Sequence, residues 1–239
     1  MWLGYLLLFQ KLFPLTTLSI LKNYVTILFI MLQLQKYTKN FNKVVVLLTI
    51  SDVFAWGPYF VISTLAGIYL SGKLGANAIE FIGVGTAIYY FTRALTQIPI
   101  GYITDKIKKD KDDIYFLIGG ILLMGIPYIL YPLISQSWHY YVLQLIFGIG
   151  ASLNLSTWRK LFAMNIDYGR EGKQYGFYET IISLSTVILS AVIGLIANLG
   201  DIYFDWVMIC SGVLMMSGSI WIALIFTAKK RKTNHITRT

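Results

Sequence analysis

Six apolar runs, each twenty or more residues long, follow one another along most of the chain, at 42–70, 79–104, 114–134, 139–166, 175–198 and 203–228. A bilayer core of about 30 Å needs roughly 20 residues per helical span. The pattern therefore predicts an all-α membrane protein, a bundle of six transmembrane helices. The breaks between runs are short, as in compact helical bundles. Residues 1–35 read differently, because their apolar stretch is interrupted by Lys11, Pro14 and the Lys22-Asn23 pair. A span centred on Lys22 would bury an ammonium at a cost of about 2.5–3.5 kcal/mol. No small-residue cleavage site marks a signal peptide there. Two readings stay open: an interfacial or additional helix, or residues upstream of a natural start at Met31, which Lys36, Lys39 and Lys43 follow. The expected division is an accessory apolar segment at 1–41, the six-helix unit at 42–228 and a basic cytoplasmic tail at 229–239.

Composition narrows the class. The 239 residues are 56% hydrophobic and 13% charged, against about 25% charged in soluble domains, which leaves no room for a sizeable soluble domain. The net charge of +9 would suggest nucleic acid in a soluble protein. Here the charge marks topology instead. The breaks after the second and fourth runs, with the two flanking tails, hold fourteen lysines and arginines, and the opposite side holds Lys73 beside Glu80, Asp201 and Asp205. That asymmetry puts both ends of the six-helix unit in the cytoplasm, and the plasma membrane is the expected location. The single Cys210 and the distant His139 and His235 offer no metal set. No Ser/His/Asp set or Walker-type glycine loop occurs, so neither catalysis nor a cofactor is expected. The expected partners are the lipid bilayer and a small solute, not nucleic acid.

Ionisable residues at membrane depth are functional candidates, because bare charge in hydrocarbon is costly. Asp52 lies nine residues beyond Lys43, roughly 13 Å into the first helix at 1.5 Å per residue. Trp56, Tyr59 and Ser63 follow it as one polar-aromatic stripe, and Gly57-Pro58 on the same turn should kink the helix. The stripe either lines a translocation cavity, with Asp52 a proton or cation site, or Asp52 is a helix-packing residue satisfied by neighbouring donors. On the second helix Thr86, Tyr89, Arg93 and Gln97 share a narrow arc. Arg93 lies within about 5 Å of the depth of Asp52 by helical rise, which suggests an ion pair, structural or released when Asp52 is protonated. Glu179, Ser183, Thr186 and Ser190 give the fifth helix a small, hydroxylated face of the kind used in helix contacts. Arg159 and Lys160 either snorkel to the cytoplasmic boundary or line the inner mouth of a cavity.

The break at 101–111 carries a motif, Gly101-x-x-x-Asp105-Lys106 followed by Lys108 and Lys109, and Gln97-Ile-Pro99 precedes it. This resembles the cytoplasmic loop signature of the major facilitator superfamily, though Lys108 stands where that family usually has Gly. The fourth run, Gln144-x-x-x-Gly148-x-Gly150-Ala151, is similar to the family's fourth-helix pattern, with Gln144 where a basic Arg is often found. The stretch 167–176 resembles the family's loop into helix five, and the Gly-Pro pattern of many antiporters is absent from 186–196. The resemblance covers about residues 42–228, one half of a twelve-helix transporter. It implies a six-helix bundle of half type, built from two inverted three-helix repeats. It implies transport of a small solute by alternating access at a midplane site, and hence a second copy or another transporter half. In such a homodimer Asp105 would meet the start of the other copy's fifth helix, near residues 172–175, as a gate latch; the alternative is that it caps local loop amides. The cavity candidates are Asp52, Trp56, Tyr59, Tyr89, Arg93, Gln97 and Gln144. The loop candidates are Gly101, Asp105, Lys106, Lys108 and Lys109. A non-transporting membrane scaffold, or a fragment of a full-length twelve-helix transporter, is the other reading. The aromatic-rich helices, with Tyr90 among their rings, suit sugars, drugs or amphipathic organics, and Arg93 favours anions if Asp52 does not neutralise it.

Overall fold

A computed structural model describes residues 41–106 and 110–236. The accessory segment at 1–40 and the loop lysines Lys108 and Lys109 lie outside the described residues. Six long helices account for nearly all of the rest: α1 (Lys43–Leu74), α2 (Ala78–Lys106), α3 (Asp110–Leu130), α4 (Ser137–Asn165), α5 (Glu171–Ala197) and α6 (Asp201–Ile236). Single 3-10 turns at Gly75–Asn77 and Tyr131–Leu133 complete two of the connections. No strand occurs among the described residues.

Several boundaries have a local cause. Asn42 caps α1 by accepting from the Val44 amide at 3.0 Å, and its own amide donates to the Asn165 carbonyl at the end of α4. Gly75, Gly169 and Gly200 have φ of 75°, 75° and 134°, left-handed values that glycine adopts without strain; each stands in a helix connection. Before α5, Gln174 donates to the Asp167 carboxylate at 2.6 Å while its carbonyl accepts from the Asp167 amide at 3.1 Å. α1 runs unbroken through Gly57-Pro58.

Four of the six helices (α1, α3, α5 and α6) contain spans long and apolar enough to cross a membrane by length and composition. The other two fall short because they carry interior polar groups: Arg93 and Gln97 on α2, and Asn154, Arg159 and Lys160 on α4. These two pack against each other along their length, and Thr96 of α2 donates to Ser152 of α4 at 2.7 Å.

The contacts follow a repeat. α1 packs on α6 and α5, α4 packs on α3 and α2, and α3 packs on α6. Exchanging the first three helices with the last three swaps α1–α6 with α3–α4 and α1–α5 with α2–α4, and leaves α3–α6 as it is. Because three helices reverse the chain direction, the second triplet is inverted relative to the first, as in inverted-repeat transporters. Two ion pairs obey the same exchange at opposite ends of the bundle. Lys73 of α1 meets Asp205 of α6 at 3.0 Å, and Lys160 of α4 meets Asp113 of α3 at 3.0 Å.

Helices in lipid gain little from burying apolar surface against one another, so close packing at small residues must hold them. At the α3–α4 crossing, a methyl group on Gly120 would lie 2.7 Å from the Asn154 backbone nitrogen. At the α3–α6 crossing, one on Gly125 would lie 2.6 Å from the Gly212 carbonyl. In the core of the bundle Leu48, Ile62, Leu117, Ile121, Met124, Leu161, Phe162, Met208 and Met215 are fully buried. α2 and α5 are the exceptions. Ile79, Phe91, Leu95, Ile98 and Tyr102 on α2, with Val187, Val192 and Leu195 on α5, are exposed.

Candidate functional site

A cleft of about 260 Å³ is lined by Asp52, Trp56, Tyr59 and Phe60 of α1, Tyr89, Tyr90 and Arg93 of α2, Leu155 of α4 and Tyr178 of α5. Residues 52, 56 and 59 lie three and four apart on one helix face, so their side chains share a wall. Tyr89 and Arg93, four apart on α2, form a second wall by the same rule.

Asp52 is buried, at 4% exposure. Its carboxylate accepts from the Tyr178 hydroxyl at 2.5 Å. The charged groups whose fields reach it are Glu179 on α5 and Arg159 on α4. The expected ion pair with Arg93 does not form: among the described residues the ion pairs are Lys73–Asp205 and Lys160–Asp113. Depth along the axes was similar, but depth says nothing of direction around each helix. α1 makes more contact with α5 than with α2, so the carboxylate finds Tyr178 instead. Arg93 donates to the Tyr89 hydroxyl at 3.1 Å and to the Gln97 side-chain carbonyl at 3.4 Å, both neutral partners.

Trp56 donates its indole N–H to Asn154 at 2.8 Å, which ties the cleft wall to α4. Its ring meets Tyr59 edge-on at 5.2 Å, and Tyr59 stacks on Phe147 at 5.2 Å and 15°. Tyr89 and Tyr90 continue the aromatic surface at 4.6 Å. Such offset and edge-on pairs hold rings in place beyond what their area alone would do.

Of the residues expected on the cavity, Asp52, Trp56, Tyr59, Tyr89 and Arg93 come together. Gln97 stands one turn along α2, bound to Arg93. Gln144 is elsewhere, donating to the Tyr131 hydroxyl at 2.9 Å. Ser63 is turned to its own helix, bound to the Phe60 carbonyl. Phe60, Leu155 and Tyr178 were not anticipated. The structure buries Gln174 and Ile182, four residues to either side of Tyr178, so 174, 178 and 182 mark the inner face of α5. The face of Glu179, Ser183 and Ser190 is exposed, and Thr186 is half-buried with its hydroxyl on the Ile182 carbonyl.

At the loop motif that follows the second helix, Gly101, Asp105 and Lys106 end α2. Asp105 is exposed and has no side-chain hydrogen bond or ion pair among the described residues. Lys106 lies over the Tyr102 ring at 4.2 Å. Lys160 pairs with Asp113 and also donates to the Thr104 carbonyl, which joins α4, α3 and α2 beneath the loop. Among the described residues no cluster of His, Cys, Asp or Glu is placed to hold a metal ion.

Residues 46–238, well over half of the chain, match the family model described as Major Facilitator Superfamily. No curated protein matches the chain significantly. With its all-helical bundle and its apolar spans, the chain is an integral membrane protein, and it belongs to the major facilitator superfamily.

Proposed function

We propose that the protein is a secondary transporter of a small solute that works by alternating access, with its six helices forming one half of the working unit. The observation that carries this reading is the cleft itself, where a carboxylate and a guanidinium stand unpaired with each other on the walls of one space. Charge at membrane depth is retained where it meets a pathway or a ligand, and a passive bundle has no use for both groups there. Asp52 is the protonation site in this reading. Gaining a proton converts it from acceptor to donor toward Tyr178, and so changes the contact that joins α1 to α5.

The second half is a second copy of the chain or another transporter half. The exposed apolar faces of α2 and α5, and the outward face of Glu179, Ser183, Thr186 and Ser190, support that assembly. Asp105 acts as a latch toward the start of α5 in the other half, consistent with a side chain that has no partner of its own among the described residues. The positive-charge asymmetry supports a location in the plasma membrane with the 101–111 loop, the α4–α5 connection and the C-terminus in the cytoplasm.

The test is uptake into vesicles carrying an imposed pH gradient, comparing wild type, Asp52→Asn and Asp105→Asn. Gradient-driven flux should disappear in Asp52→Asn, and Asp105→Asn should weaken both flux and dimerisation. Equal flux in empty vesicles and in all three proteins would remove the transporter reading for the solutes offered.

A further inference from the structure

We infer that the solute is an aromatic organic anion, with Arg93 taking its acidic group and the surrounding rings taking its flat body. This rests on the transporter reading of the cleft and deepens it.

The argument begins with which charge is available. Asp52 is capped by Tyr178 at 2.5 Å and is 4% exposed. Arg93 is only half-buried and has neutral partners alone. Two of its five N–H donors are used, by Tyr89 and Gln97, and three remain. A guanidinium presents its donors in a planar fork that fits a carboxylate with two parallel hydrogen bonds. The cleft therefore offers a cationic receptor, and its carboxylate is already engaged.

Depth decides between two sources of anion. Arg93 is twelve residues from Asp105, about 18 Å along the helix from the cytoplasmic end. That is past the middle of a hydrocarbon core about 30 Å thick, out of reach of a lipid headgroup. The anion must enter through the cleft as a solute.

The remaining lining decides the body. Six of the nine lining residues are aromatic, namely Trp56, Tyr59, Phe60, Tyr89, Tyr90 and Tyr178. No Asn, Gln, Ser, Thr or His lines it, and the Trp56 N–H is committed to Asn154. Of the four tyrosine hydroxyls in the lining, those of Tyr89 and Tyr178 are bound to Arg93 and Asp52, so the cleft offers more ring surface than the several donors and acceptors a polyol needs. A planar ring system needs faces and edges, which tilted and edge-on rings supply. The volume of about 260 Å³ is just below the roughly 300–1,000 Å³ of small-molecule sites, and a second half would enlarge it.

The test uses binding, so that it stands apart from transport. Radiolabelled 2-naphthoate is bound to the purified full chain in nanodiscs and competed with 2-naphthamide, 2-naphthylmethylamine and glucose. The expected result is that the acid binds at least tenfold more tightly than the isosteric amide or the amine, and that glucose does not compete. Arg93→Gln should weaken naphthoate at least tenfold and leave the amide within twofold, with Arg93→Lys intermediate. The proposal is overturned if the wild type binds none of the aryl probes, if amide, amine or glucose binds as tightly as the acid, or if Arg93→Gln holds naphthoate within twofold. The wild-type comparison needs no variant to fold. Naphthoate that binds through Arg93 but is never taken up into vesicles upholds the anion class and counts against transport. Gradient-driven uptake of glucose or the amine, without naphthoate binding, does the reverse.

Discussion

Replacing Asp113 by Asn tests the polar joint beneath the 101–111 loop motif. Asp113 and Lys160 form an ion pair at 3.0 Å with side-chain exposures of 2% and 17%, and Lys160 also donates to the Thr104 carbonyl. Asparagine keeps the shape and an acceptor oxygen but leaves the largely buried ammonium without its counter-charge. Breaking a buried pair in this way costs about 3–5 kcal/mol. At about 2–4 °C per kcal/mol for a chain of this size, the melting temperature should fall by roughly 6–20 °C. The pair at the other end of the bundle is the control. Lys73 and Asp205 are 28% and 30% exposed, and Asp205→Asn preserves an acceptor for the Tyr69 hydroxyl that now binds it at 2.5 Å. An exposed pair contributes about 1 kcal/mol or less, so that variant should lose no more than about 4 °C. The double variant Asp113→Asn with Lys160→Met removes the stranded charge and should recover at least half of the loss. Tryptophan fluorescence melts in detergent measure all four proteins. A loss below about 2 °C for Asp113→Asn, or a double variant no more stable than the single one, would refute the assignment of a buried, mutually dependent pair.

Two further outcomes follow from the packing. Gly120→Ala should destabilise the bundle by about 1–3 kcal/mol, the usual cost of overpacking, because the new methyl meets backbone at 2.7 Å; Gly119→Ala, with nothing within 4 Å, should be neutral in the same melt. Trp56→Phe should cost about 1–3 kcal/mol by leaving the Asn154 carbonyl oxygen unpaired in a buried site, and the same melt reads that loss.

The helices were legible because long apolar runs and short charged breaks are dictated by the bilayer itself, whatever the tertiary packing. Much of the cleft was legible for a related reason: an aspartate and an arginine inside such runs are costly enough to need an explanation, and helical spacing adds Trp56, Tyr59 and Tyr89 to their faces. What the linear pattern did not hold was azimuth. The Asp52–Arg93 pairing was expected from equal depth, and the structure replaces it with Asp52–Tyr178 because α1 leans on α5. Tyr178 itself was overlooked because its neighbour Glu179 is charged and drew attention to the outward face. The partner of Lys160 was not legible from its distance to the helix end, since Asp113 lies 47 residues away on another helix.

The exchange symmetry of the contacts has a consequence for biosynthesis. α1 is made first, yet its principal neighbour is α6, the last of the six to be made, and the hydroxyl that meets Asp52 comes from α5. While the chain is being inserted, four helices must enter the membrane with that carboxylate unsatisfied. A nascent chain arrested after α4 would therefore hold Asp52 without the Tyr178 hydroxyl. Arrival of α5 supplies that hydroxyl and arrival of α6 the main packing face of α1, so the first of the six helices is completed by the last two.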